Sequence, residues 1–450
     1  MITAEIIRQT GYGELTNFDS AATDVVIDSR QVSGNSIFVA LPGEQTDGHR
    51  FVRQALAGGA VLCIVAKKWA EQNPGQRLPL WITDSPVTAL QKLAQTWRNQ
   101  FQIPVLAITG TNGKTTTRAM CAAILAKKFN LHTTPGNLNN QLGLPLTLLR
   151  IKSENTFSLL ELGTNHFGEI ALLCELAKPS AGLITNIGFG HTEFFKSKAG
   201  VAKAKRELFD ALDTDGTAFI NLNDEYIREM NPKCRQITYG MQVEAAAYSG
   251  KIDDFDDNGC ATLTVNRNIR IKLNTPGKAM AHNALAAVAV GQHFEVEPNE
   301  IITALESFRP LQQRFNQIRA AGCRIINDAY NANPDSTRSA IETFTAMRLP
   351  GRRILVFGDM FELGTLSEAC HQEIGKLIAE SPIDQVYLYG PLTEVTHAAI
   401  RAAGGPESRH FHNKSDLLKA LQNEIRSDDT VLVKGSRGNQ LEEIIEGLIN

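Results

Sequence analysis

The run Ile108-Thr109-Gly110-Thr111-Asn112-Gly113-Lys114-Thr115-Thr116-Thr117 is the stretch best equipped to do chemistry. It follows an apolar, strand-like segment beginning at Val105 and opens a helix pattern from Arg118 to Lys128. Glycines at 110 and 113 let backbone amides curl around phosphate oxygens, and the start of a helix adds partial positive charge. Lys114 would neutralise outer phosphates, and the Thr115 hydroxyl would coordinate magnesium. The spacing is G-x-x-G-K-T; in the longer G-x-x-x-x-G-K-[ST] form the first glycine would fall at Ile108. A glycine turn with a chance lysine is the bland alternative, and the strand–loop–helix context argues against it.

Further candidates lie downstream. Glu161 ends an apolar strand, the position from which parallel sheets present functional groups, and a carboxylate there suits magnesium. His191 follows the strand-like run Gly182 to Ile187, although a lone loop histidine is usually not a ligand. Lys203 and Lys205 share a helix pattern whose ordinary reading is a solvated basic face. Asn137, Asn139 and Asn140 sit in a glycine-flanked loop. Their amides can read a polar ligand or simply build a turn. Asn283 lies in a helix after Pro276-Gly277. Arg314, in Gln312-Gln313-Arg314-Phe315, suits a phosphate clamp. Asp328, Tyr330, Asn331 and Asn333 end another strand, and Asp335 or Ser336 would cap a helix from Thr337 to Met347.

Three regions must position these groups. Residues 1–84 read as a small α/β unit, with strands near Val25–Asp28, Ser36–Leu41, Val61–Ala66 and Leu80–Thr83. Residues 85–309 carry continuous apolar strands alternating with helices (Val105–Thr109, Phe157–Leu162, Gly182–Ile187, Ala218–Asn221), which predicts a parallel sheet covered on both faces. Short alternating runs from Lys251 to Leu273 predict an antiparallel insertion on its edge. Residues 310–450 repeat the α/β rhythm, with strands at Arg324–Asn327, Ile354–Phe357, Val386–Tyr389 and Thr430–Val433. Three α/β units in series imply clefts between them, where ligands often sit.

Bulk properties exclude other classes. In 450 residues, 43% are apolar, 21% are charged and the net charge is −3, so no nucleic-acid footprint or basic membrane face is expected. Seven scattered cysteines form no C-x-x-C pair and read as core residues in a reducing compartment. The N-terminus does not read as a signal peptide, and no apolar run reaches the roughly 18 residues needed to span a bilayer. A cytoplasmic protein is expected.

The loop is joined by Gly136-Asn137-Leu138-Asn139-Asn140, Glu161-Leu162-Gly163-Thr164-Asn165-His166, Thr185-Asn186-Ile187-Gly188 and Asp328-Ala329-Tyr330-Asn331-Ala332-Asn333-Pro334. Together these resemble the Mur ligase family of peptidoglycan synthesis over essentially the whole chain. The resemblance implies a three-domain α/β architecture: an N-terminal uridine-nucleotide domain, a central P-loop parallel-sheet domain and a C-terminal Rossmann-like domain for the incoming amine. It implies an ATP-dependent, magnesium-requiring ligase acting through an acyl phosphate. Its substrates would be UDP-N-acetylmuramoyl-tripeptide and D-alanyl-D-alanine, and it would act as a monomer. Lys114, Glu161, His191 and Lys205 would be catalytic. Thr115, Glu161, His191 and a carbamylated Lys205 would hold magnesium. Gly110, Thr111, Asn112, Gly113, Lys114, Thr115, Thr116, Asn283, Arg314, Asp328, Tyr330 and Asn331 would bind ATP. Ser29, Arg30, Asp47, His49, Asn137, Asn139, Asn140 and Asn333 would bind the other substrates. The sequence departs from the family at Ala279-Met280, where a His-Asn pair is usual, at Gln313, usually glycine, and at Pro42-Gly43, where a basic contact is missing. A folylpolyglutamate synthase-like ligase and a non-catalytic ATP-binding switch are the alternatives.

Overall fold

The apolar runs become strands almost residue for residue in the computed structural model, which describes residues 1–43, 46–74, 77–320 and 322–449. Three sheets of five or more strands follow one another along the chain. The first has the order Glu14–Thr16, Leu80–Thr83, Ala60–Ala66, Ser36–Val39, Asp24–Val26, and only its first pair is antiparallel. Helix Pro86–Arg98 then leads into the central sheet, its start fixed by Ser85 Oγ accepting from the Thr88 amide at 3.2 Å.

The central sheet has nine strands. Val105–Thr109 lies between Phe157–Glu161 and Ala181–Ile184, with parallel register on both sides. The connection leaving Val105–Thr109 runs to the edge strand Leu131–Thr133 on one side, and the connection leaving its neighbour Ala181–Ile184 runs to Thr217–Asn221 on the other, so a topological switch point lies between these two strands, and the crevice at their carboxyl ends is where such sheets bind ligands. Val105–Thr109 and the strands that flank it are buried from end to end, because helices cover both faces. The alanine-rich helix Lys278–His293 packs against helix Lys114–Leu125 and carries Asn283 to the loop before Lys114. Tyr248–Phe255, Cys260–Val265 and Ile269–Pro276 form the expected antiparallel edge. Thr217–Asn221, the short strand Leu131–Thr133 before the asparagine loop, and Arg235–Met241 complete the sheet, the last of them not expected.

The third sheet has the order Asn316–Ala320, Cys323–Asp328, Thr430–Lys434, Arg353–Gly358, Gln385–Tyr389, Glu407–Phe411, with one antiparallel pair at the first edge. This is not the 3-2-1-4-5-6 order of dinucleotide-binding folds, so the Rossmann likeness is one of layers and not of connectivity. Its first helix differs from expectation. It spans Pro334–Ala346 and is capped by Asn333, which forms a capping box with Ser336. Proline fits at the first helical position because its missing N–H needs no partner there, which moves the cap back from Asp335 or Ser336. All seven cysteines are buried and free.

Candidate active site

Carboxyl ends of central and third-sheet strands face a common cleft of about 780 Å³. On the central side the loop leaves Val105–Thr109 at Gly110. With φ of +149°, a Cβ on Gly110 would lie 1.8 Å from Thr185 Oγ1. Gly113 has φ of +79°, and a Cβ there would strike Asn283 Oδ1 at 2.6 Å. Only glycine admits both approaches.

The loop is held from behind. Asn186 O accepts from the Thr111 amide and Asn186 Oδ1 from the Asn112 amide, both at 2.9 Å, while Thr185 Oγ1 donates to Asn112 O at 2.6 Å. The amides of Thr111 and Asn112 are therefore already paired within the protein. The amides of Gly113, Lys114, Thr115 and Thr116 have no acceptor among the described residues, and no side chain caps helix Lys114–Leu125. Four free amides at a helix start form an anion site. Lys114 Nζ donates to Gly110 O at 2.9 Å and Thr111 O at 3.0 Å, which curls it over its own loop. Burial, and then the nearby Arg314, lower the Lys114 pKa while Glu161 opposes them.

Glu161 is only 3% exposed. It accepts from Thr115 Oγ1 at 3.2 Å, Asn139 Nδ2 at 2.9 Å and Arg118 Nε at 3.2 Å. The sequence reading missed Arg118, although it lies one helical turn beyond Lys114. Asn139 holds Glu161, and Asn140 Oδ1 accepts from the Gly143 amide at 2.8 Å, which is the turn role. Asn137 lines the cleft. Lys205 is buried on helix Lys198–Asp210 and also lines it. Burial first, and then the charge of Lys114, hold the Lys205 amine well below the usual lysine range.

The third domain forms the roof. Arg314 Nη2 donates to Thr115 Oγ1 at 3.0 Å, with its guanidinium stacked 4.1 Å above the Tyr330 ring. Asp328 Oδ2 meets the buried Lys434 Nζ at 2.6 Å, and Lys434 also donates to Asn331 O at 3.1 Å. Asn333, expected on the substrate, instead pairs reciprocally with Asn112: Asn333 Nδ2 to Asn112 Oδ1 at 2.8 Å, and the reverse bond at 3.3 Å. Asp335 accepts from the Phe189 amide at 2.7 Å and lies 3.8 Å from Lys198 Nζ.

Residues 22–98 match the Mur ligase catalytic domain, 108–291 the Mur ligase middle domain, and 313–437 the Mur ligase glutamate ligase domain. The chain belongs to the Mur ligase family. A UDP-N-acetylmuramoyl-tripeptide–D-alanyl-D-alanine ligase of Bacillus subtilis is 36% identical over 431 residues, covering 94% of this chain and 93% of its own. The crystal structure of MurF from Acinetobacter baumannii superposes with a TM-score of 0.89 at 28% identity, covering 100% of this chain and 98% of its own. MurF ligase from Thermotoga maritima, solved in complex with ADP, gives 0.82 at 27% identity, with 95% and 97% covered.

The donor set of this Mur ligase fits magnesium. Among the described residues no three His, Cys, Asp or Glu side chains cluster as a metal cage. Magnesium rarely uses one; it is typically held by one or two carboxylates together with substrate phosphates. The Thr115–Glu161 pair beside four free amides meets that need. His191, on the far side of the loop, is approached by Glu362 of the third domain: Nδ1 and Oε2 are 2.6 Å apart. The contact lies off the ring N–H direction, leaving Nδ1 without an aligned partner. Catalytic hydrogen bonds are often misaligned before reactants bind. Contact with His191, through hydrogen bonding first and charge second, holds the Glu362 carboxyl below its usual range against the effect of burial.

The four residues expected in a uridine-nucleotide pocket of the first domain stand apart from this cleft. None of Ser29, Arg30, Asp47 or His49 lines the cleft. Arg30 pairs with Asp28 at 2.7 Å on the surface. His49 is buried, with Nδ1 2.6 Å from Asp47 Oδ1 and Nε2 accepting from the Ala66 amide at 2.8 Å, so neither ring nitrogen is free for a ligand.

Proposed function

We infer that this Mur ligase uses ATP to join D-alanyl-D-alanine to UDP-N-acetylmuramoyl-tripeptide in peptidoglycan precursor synthesis. The observation that carries the reading is the convergence of Lys114, Thr115 and Glu161 with Arg314 on one set of free amides. The terminal phosphoryl group of ATP passes to the tripeptide carboxylate, giving an acyl phosphate and ADP. The dipeptide amine then attacks the acyl carbon, phosphate leaves and the amine gives up its proton. Lys114 and Arg314 offset charge on the transferring group, which is where most catalysis of such a step resides. Magnesium, held by Thr115 and Glu161, would supply further charge compensation.

In this reading residues 1–84 hold the uridine nucleotide, 85–309 hold ATP and 310–450 hold the dipeptide. Asn283 lies against the adenine, and Asp328, Tyr330 and Asn331 serve the nucleotide or dipeptide from the roof. Lys205 is carbamylated: its depressed pKa makes neutral amine available to add carbon dioxide and release a proton, and the product carboxylate suits a second magnesium with His191. A carbamate carbon signal after equilibration with ¹³C-bicarbonate, lost in Lys205→Arg, is the expected outcome. The reaction is assigned to the cytoplasm and to a single copy of the chain; no described helix is long and apolar enough to cross a membrane.

Mass spectrometry of the product from ATP, D-alanyl-D-alanine and each tripeptide, ending in diaminopimelate or lysine, tests the reading. A product heavier than the tripeptide by one dehydrated dipeptide supports it. Phosphate release stimulated by other acids or amines but not by these substrates overturns it.

A further inference from the structure

His191 and Glu362 are both non-glycine residues in the left-handed region, with φ of +55° and +62°. They meet across the boundary between the central and third domains. L side chains disfavour this conformation, and residues held in it gather at functional sites. Here the backbone of both is fixed. The amides of Phe194 and Phe195 donate to His191 O at 3.0 and 3.1 Å, and the Glu193 amide donates to Glu362 O at 3.0 Å. The loop carrying Glu362 is itself anchored: the Met360 amide donates to the buried His371 Nε2 at 3.1 Å, and the Phe361 amide to Ser436 Oγ at 2.9 Å. A side chain aimed by so many bonds is placed for a purpose.

The other carboxylates lining the cleft are committed. Glu161 takes Thr115, Asn139 and Arg118; Glu169 takes Thr164 and the amides of Asn165 and His166; Asp328 takes Lys434; Asp335 takes the Phe189 amide. Glu362 has His191 alone, at 2.6 Å on Nδ1. The approach is off the ring N–H direction; a turn of the imidazole that brought Nδ1–H onto this carboxylate would leave the lone pair on Nε2, the usual way a ligating histidine is oriented.

We propose that Glu362 is a positioning residue: closing the third domain sets its carboxylate on His191 Nδ1, so that Nε2 is presented to the cleft as an acceptor. The histidine is thereby completed by the same movement that brings the amine-binding domain into place. The inference rests on the ligase reading only for the identity of the group that Nε2 serves.

The test uses the whole chain with a non-hydrolysable ATP analogue. Ring ¹⁵N shifts of His191 should show the Nδ1–H form in the unaltered protein and a mixture in Glu362→Ala. Glu362→Gln, which keeps an acceptor oxygen, should recover much of the Nδ1–H form. Mn²⁺ affinity of the analogue complex, read by electron paramagnetic resonance, should fall about 10- to 100-fold in Glu362→Ala and not fall further when that change is added to His191→Ala. An unchanged His191 tautomer and Mn²⁺ affinity in Glu362→Ala would overturn the proposal. So would a raised KM for the amine alone, which would make Glu362 an ammonium contact. If the tautomer and Mn²⁺ effects hold but no amide product forms from the named substrates, the ligase reading fails and the role of Glu362 stands.

Discussion

Lys114 illustrates how much the chemistry depends on single contacts. Its amine rests on Gly110 O and Thr111 O and must transfer to phosphate oxygens for turnover. Lys114→Ala should cut kcat by about 10²-fold or more with the thermal unfolding curve nearly unchanged. Activity within a few-fold of normal would remove it from the transition state. Glu161→Gln keeps the Asn139 side bonded but weakens the metal ligand. It should raise the magnesium concentration needed for half-maximal rate and lower the rate at saturation, and an unmoved magnesium titration would count against metal binding. These two residues were legible in the sequence because loop spacing and a strand end are local signals. The Asn112–Asn333 pair was not, since it joins residues 221 positions apart, and nothing near Asn112 names its partner. The partners of His49 were hidden for a related reason: the Ala66 amide it accepts from lies 17 residues on, at the end of a strand.

Among the elements, strands in the middle of sheets stood out as apolar runs because both their faces are covered. The strands the sequence reading lacked are polar or lie at edges; Glu407–Phe411 has no buried residue and Asn316–Ala320 none either, so neither period nor composition marks them. Strand Leu131–Thr133 gives a prediction of its own. His132 is buried between Ser158 Oγ and Thr147 O, each at 2.9 Å, and burial pushes its pKa down from 6.5 to about 4. Below pH 6.5 the unfolded chain binds a proton that the folded chain refuses, so stability falls as acid is added. The loss should reach about 3 kcal/mol as pH drops through 4 and should be absent above 6.5. Urea midpoints of the unaltered chain and His132→Gln, compared across that range, should differ in slope. Helix Pro334–Ala346 offers another. Asn333→Ala removes both cap and clasp and should cost about 1 kcal/mol through the cap, whereas Asn112→Ala removes only the clasp. Equal shifts in melting temperature would show that the cap contributes nothing.

At the scale of the whole molecule, the roof is tied to the floor by Asn112–Asn333, by Asp335 on the Phe189 amide and by the backbone bond between Glu193 and Glu362. Two of the side-chain ties can be cut with least disturbance to the groups around the free amides. Asn112→Ala with Asp335→Ala should enlarge the radius of gyration seen by small-angle scattering without nucleotide, and an ATP analogue should reverse much of the change. No change in scattering would mean that other contacts set the closed form. The sequence showed three α/β units in the right order. It could not show how they close, because the contacts that decide it are amides and backbone groups with no compositional mark.

One of those ties belongs at once to the phosphate loop and to the roof. A small amide-like molecule lodged between Asn112 and Asn333 would act as a wedge, propping the enzyme ajar while leaving every substrate pocket intact. Such a compound would resemble none of the reactants, and raising their concentration would relieve it only so far as they pull the roof shut.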